Sequence, residues 1–183
     1  MSAWRFLIVL AGVQAALVAC GSSSSSVAQT TPTPQPSPSP SPLTCTSSGT
    51  ASSSWTVPTA STPSILSATA SGDVLTLTFA QGTPAFQVTP ESSQTFYVGD
   101  GKGETVTMAG SAGAIIVLQG FRGDILNYGG PNDITSTGPM LLEVRHVNEF
   151  EGVVHWAVGL NKAGCANVTS GATSLTFRFI SAA

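Results

Sequence analysis

The chain is predicted to be all-β, built as a single antiparallel sandwich, and three observations predict it. Val74-Leu75-Thr76-Leu77-Thr78-Phe79 and Leu175-Thr176-Phe177-Arg178-Phe179 alternate apolar and polar residues, the period of a half-buried strand. Ala114-Ile115-Ile116-Val117-Leu118 is continuously apolar, as in a strand covered on both faces. After residue 19 no segment sustains a 3.6-residue apolar period, so helices are not expected to carry the fold.

Taken in chain order, the first element is a segment to be removed. Arg5 precedes an apolar run, Phe6 to Ala19, which is shorter than the about 20 residues that span a bilayer. It closes on Leu17-Val18-Ala19-Cys20-Gly21, which resembles a bacterial lipobox. Residues 1–19 therefore read as a lipoprotein signal peptide and Cys20 as the lipidated N-terminus, with two or more acyl chains making the anchoring stable. This places the protein outside the cytoplasm, tethered to a bacterial membrane. A plain secretory signal with a stray cysteine and an uncleaved membrane helix are the competing readings.

Residues 20–42 hold a Ser run, Ser22 to Ser26, followed by Thr-Pro and Ser-Pro repeats from Pro32 to Pro42, with no charged residue anywhere between Arg5 and Asp73. So little apolar surface cannot offset the entropy of ordering, and the segment is expected to be a linker. The Ser part is expected to be flexible and the Pro part extended, at ~3.1 Å per residue and roughly 35 Å in all. Residues 43–63 lead into the folded part, and residues 64–183 are the expected sandwich. Between its alternating ends, further strands are expected at 85–89, 95–98, 104–108, 114–119, 141–147 and 153–160, with short helical turns at 121–128. Residues 127–139 contain Gly129-Gly130-Pro131 and several Asn, Asp, Ser and Thr, the composition of a long exposed loop.

With Cys20 assigned to lipid, Cys45 and Cys165 remain. In an oxidising compartment, a pair flanking a domain is most simply a disulfide, here closing a loop of about 120 residues; two free thiols, or Cys45 within the linker, are the alternatives. Without Arg5, five Lys and Arg stand against nine Asp and Glu, a net charge of −4. The cations are scattered, so nucleic acid is not an expected partner.

Met108-Ala109-Gly110-Ser111-Ala112-Gly113-Ala114-Ile115-Ile116-Val117 and Asn148-Glu149-Phe150-Glu151-Gly152-Val153-Val154-His155-Trp156-Ala157-Val158-Gly159-Leu160 resemble the AMIN-like domains of bacterial extracytoplasmic lipoproteins. Those domains carry a Gly-x-Ala element leading into an apolar strand, a Phe-Glu-Gly hairpin leading into a Trp-containing strand, and a closing β-strand. The likeness covers about residues 64–180. They are similar to AMIN domains, small β-sandwiches that localise cell-wall amidases and secretins by contacting peptidoglycan. The resemblance implies a noncatalytic envelope domain binding peptidoglycan or a wall-associated protein. Of the family's His-x-x-Phe-Asp-Arg-like turn, Ser71-Gly72-Asp73-Val74 keeps only the Asp.

The residues themselves allow several sites. β runs flank Asn148 to Gly152, so Phe150-Glu151-Gly152 reads as a hairpin turn in which Gly152 takes φ > 0 and Phe150 folds back onto the sheet; the alternative is a direct binding role for Phe150, Glu151 and Gly152. His146 and His155 flank the same turn and fall roughly opposite each other, but their spacing matches no metal-ligand pattern and a one-residue slip separates them. No metal and no cofactor are expected. Asp100-Gly101-Lys102-Gly103-Glu104 reads as a solvated turn.

Trp55, Trp156, Tyr97, Tyr128 and Phe121 are the aromatics that suit stacking on sugars. Tyr128, in the expected loop, is the best exposed of them, while Trp156 belongs in the core. No Gly-x-Ser-x-Gly, His-Glu-x-x-His, Gly-rich phosphate loop or Cys-x-x-Cys occurs, so an enzyme is not expected. A structural spacer or protein-interaction module without a glycan ligand is the alternative.

Overall fold

The computed structural model describes residues 44–57, 59, 62–99 and 103–182. The chain divides after residue 40 into two units, and every described residue belongs to the second. Cys20 and the segments expected to be signal peptide and linker, residues 1–42, lie outside the described residues, as do Asp100, Gly101 and Lys102.

Twelve strands and no helix are found among the described residues. They are β1 (Ser48–Gly49), β2 (Ile65–Ser71), β3 (Val74–Phe79), β4 (Ala85–Glu91), β5 (Thr95–Tyr97), β6 (Thr105–Thr107), β7 (Ala112–Gln119), β8 (Asp133–Thr135), β9 (Leu141–Phe150), β10 (Val153–Leu160), β11 (Gly164–Ser170) and β12 (Ser174–Ser181). A six-stranded antiparallel sheet runs β1-β4-β7-β10-β9-β8, a four-stranded one β11-β12-β3-β2, and β5 and β6 form a separate hairpin. The all-β expectation holds. The 121–128 segment contains bends instead of helical turns. β2, β8 and β11 are not among the expected strands, because Ile-Leu-Ser-Ala-Thr-Ala-Ser, Asp-Ile-Thr and Gly-Cys-Ala-Asn-Val-Thr-Ser hold too few large apolar residues to show a period. All three are edge strands.

The two large sheets pack face to face in a sandwich-like arrangement. Leu75, Leu77 and Phe79 of β3 and Leu175, Phe177 and Phe179 of β12 point inward against Ile116 and Leu118 of β7 and Trp156 of β10, all fully buried or nearly so. Phe86 and Phe177 meet edge-on across the gap with centroids 5.8 Å apart.

The N-terminal segment closes one side of the sandwich. The Thr46 N–H donates to Ala166 O of β11 at 2.7 Å, and the Val88 N–H of β4 donates to Ser47 O at 2.7 Å. Cys45 is disulfide-bonded to Cys165, with Cα atoms 5.7 Å apart and a separation of 120 residues. In the chain-entropy account, a loop of that length removes about 4–5 kcal/mol of freedom from the unfolded chain.

Asp73 fastens the sheets at the other end. Its Oδ1 accepts from the Met140 and Leu141 N–H groups at 2.7 and 3.0 Å, tying the β2–β3 turn to the start of β9. The carboxylate singled out in the sequence is thus a structural clamp.

Candidate functional site

The site grows from the outer face of the large sheet, the face turned away from the sandwich core. Two glycines on that face, Gly113 of β7 and Gly159 of β10, leave room for chain to cross it. A Cβ on Gly113 would meet the Phe96 ring at 2.5 Å, and one on Gly159 would meet Ala109 O at 2.3 Å. The β5–β6 hairpin and the residues after it use this clearance. Phe96, Val106 and Met108 bury against Ala157 and Val147, making a small second core outside the main one.

A bulge holds the hairpin in place. In the β9–β10 ladder Trp156 pairs with His146, whereas His155 pairs with Asn148, so Val147 is the extra residue. The Val147 carbonyl accepts from the Gly99 N–H at 3.1 Å, just after β5. The same bulge separates the two histidines. His146 faces inward, its ring 5.1 Å from that of Trp156, while His155 faces outward; the expected juxtaposition of the two side chains on one face is not realised.

Beyond the hairpin the outer face is uncovered, leaving a cleft of about 600 Å³. Ile115, Val147 and His155 form its floor, and Tyr97 and Phe150 stand at its margins with 76% and 58% of their surface exposed. Asn148 adds an amide, and Glu91 is the one carboxylate of the lining among the described residues. Burial, with the nearby His146 charge, lowers the His155 pKa below the ordinary imidazole value, so the ring is neutral at pH 7. Its Nδ1 is buried and has no hydrogen-bond partner among the described residues.

Phe150, expected to fold back onto the sheet, stands on its outer face with more than half its surface exposed. It ends β9, paired with Val153, and the turn is only two residues, Glu151 and Gly152, with φ of 49° and 79°. Two successive positive φ values are those of a type I′ turn, which matches the twist of the flanking strands. Gly152 also lacks space for a side chain, since a Cβ would approach Phe121 O to 2.5 Å. Gly152 thus has an architectural role, Glu151 forms the turn tip, and Phe150 lines the cleft.

A second cleft of about 550 Å³ adjoins the first, sharing Gly99, Val147 and Asn148. Here the expectation of a long exposed loop holds from Gly129 to Asn132 and is corrected on either side of that stretch. Asn127 and Tyr128 are buried, at 1% and 3% exposure, and β8 occupies residues 133–135. Tyr128 is not an exposed platform: its ring packs 4.8 Å from that of Trp156, and its hydroxyl donates to Pro131 O at 3.2 Å.

Glu149 is responsible. Its carboxylate accepts from the Asn127 and Tyr128 N–H groups at 2.7 and 3.0 Å and lies 3.2 Å from His146 Nε2. Burial alone would raise its pKa, but the adjacent His146 imidazole and the hydrogen bonds from Asn127 outweigh that and hold the carboxyl below its ordinary value. Asn127 extends the fastening, its Oδ1 accepting from Ser64 Oγ at 3.0 Å and its Nδ2 donating to Arg122 O at 2.8 Å.

The other stacking candidates are structural. Phe121 is buried, and Trp156 is fully buried, its indole held by ring packing and its Nε1 without an acceptor among the described residues. Trp55 packs edge-on against Phe79 and Phe121, and its Nε1 donates to Gly120 O at 3.2 Å. Of the five aromatics, Tyr97 alone is strongly exposed, and the Thr95-Phe96-Tyr97 alternation signals it: Phe96 inward, Tyr97 outward. Asn148 is a cleft residue that the expected register overlooks. A turn centred near Phe150 or Glu151 sets His146 opposite His155, whereas the two-residue turn at Glu151 and Gly152 sets Asn148 there.

Among the described residues, no group of three or more His, Cys, Asp or Glu side chains is placed to hold a metal ion. No family model, curated protein or solved structure matches this chain.

Proposed function

We propose that this is a lipid-anchored extracytoplasmic protein of a bacterial membrane, with Cys20 as the lipidated residue and a noncatalytic, AMIN-like domain that binds a cell-envelope component such as peptidoglycan or a wall-associated protein. The observation that carries the binding part is the open cleft on the outer sheet face, with Tyr97 and Phe150 exposed at its margins. Large exposed apolar groups gathered at a concave surface are a mark of recognition sites. The address rests on the Leu-Val-Ala-Cys sequence, and the Ser/Pro segment supplies reach from membrane to wall. Tethering raises the effective concentration, so that one small domain of modest affinity suffices.

The test is co-sedimentation of residues 43–183 with purified sacculi at several salt concentrations. Retention in the pellet is expected. A folded domain that stays in solution at every salt level overturns wall binding, and a spacer or protein-interaction role takes its place. The anchor is tested separately by intact mass: the detergent-extracted protein should begin at Cys20 and exceed its polypeptide mass by acyl chains.

A further inference from the structure

We infer that the cleft between Tyr97 and Phe150 is a saccharide site, in which the two exposed rings stack on sugar faces while Asn148 and the His155 imidazole hydrogen-bond to sugar hydroxyl or amide groups. This deepens the envelope-binding reading and rests on it for the source of the sugar.

Four features of the cleft point to this ligand class. Its volume of about 600 Å³ falls in the range of small-ligand sites, and its floor of Ile115 and Val147 is apolar. Two aromatic rings left in water at its margins cost hydrophobic free energy that a ligand with apolar faces recovers. The Asn148 amide and the half-buried His155 imidazole add polar groups to that lining, which suit a ligand's hydroxyls or amides. Finally, among the described residues the lining carries one carboxylate, Glu91, and His155 is uncharged at neutral pH, which suits an uncharged polar ligand better than a phosphate or a strong cation.

An extended peptide fits less well. β7 and β10, which supply Ile115 and His155 to the floor, are each paired on both sides, β7 with β4 and β10, and β10 with β7 and β9, and the Val147 carbonyl released by the bulge is taken by the Gly99 N–H. The backbone bonds that strand addition would need from these two strands are therefore already made within the domain. What the cleft offers a ligand is side chains.

The experiment uses the full-length chain in detergent at pH 7, titrated calorimetrically with the tetramer of N-acetylglucosamine, and separately sedimented with sacculi. Tyr97→Ala and Phe150→Ala remove exposed rings, and His155→Gln removes the imidazole. Leu66→Ala, a similarly exposed apolar residue on β2 of the other sheet, is the control. The tetramer is expected to bind, each ring deletion to weaken it about five- to tenfold, His155→Gln to weaken it about fivefold, and Leu66→Ala to leave it unchanged. Absent tetramer binding, or binding unchanged in the Tyr97→Ala, Phe150→Ala double variant, overturns the inference. Sacculus retention that the double variant leaves intact removes this cleft as the site while envelope binding stands. Tetramer binding without sacculus retention keeps the saccharide site and overturns the wall as its source.

Discussion

The two tyrosines of the chain lie in segments fastened to the same strand, β9, and they end in opposite environments. Residues 121–128 tuck inward: Glu149 takes the Asn127 and Tyr128 amides, and Tyr128 packs on Trp156. The β5–β6 hairpin crosses the outer face, where Phe96 fills a small core and Tyr97 is left in solvent. One region is held by a buried carboxylate and the other by apolar contact together with a backbone bond to the Val147 bulge. Exposure of a loop aromatic thus depends on what its neighbours anchor to, and loop composition alone does not decide it.

The largest expected effect breaks the outer region. Phe96→Ala should cost about 3 kcal/mol, because the ring is buried over Gly113 and against Ala157, and its loss empties the small core. Tyr97→Ala, one residue away, should change stability by less than about 0.5 kcal/mol. Urea denaturation of the two variants checks the pair, and equal losses would mean that the hairpin is not held as described.

The inner region should break through Glu149. Glu149→Ala strands two backbone N–H groups and should cost about 2–3 kcal/mol, with faster hydrogen exchange at Asn127 and Tyr128. The pH dependence follows from the same group. Its folded pKa is lowered, so its contribution is present above the unfolded carboxylate value of about 4.3 and is lost as pH falls through the folded value. Acid denaturation of the wild type should therefore steepen below about pH 4.3, and the Glu149→Ala protein should lack that part of the slope.

The smallest effect sharpens the turn between the regions. Glu151 holds φ of 49°, which asparagine tolerates better, so Glu151→Asn should stabilise the protein by about 0.5 kcal/mol while leaving ligand binding unchanged. Thermal melts and the tetramer titration check it together. A binding loss without a stability change would give Glu151 a direct contact role.

Much of this is legible in the residues. The alternation in β3 and β12 and the unbroken apolar run in β7 follow from which faces must leave water, a local demand that each strand's own composition records. The Cys45–Cys165 pair and the left-handed Gly152 are equally readable, the first by counting cysteines and the second from the hairpin pattern. The edge strands β2, β8 and β11 are not, since small polar residues pair through backbone bonds that carry no side-chain signature.

The sequence by itself determined the all-β class, the strands with a strong apolar pattern and the disulfide partners, because those depend on local periodicity and on counting. Tertiary structure alone decided which aromatics remain in water and which side chains share the cleft. The reason is the extra residue at Val147: it reverses the facing of the side chains on its two sides in β9, so that His146 lies toward the core while Asn148 and Phe150 share the outer face with His155. A bulge arises from the pairing of two strands, and neither strand states it alone.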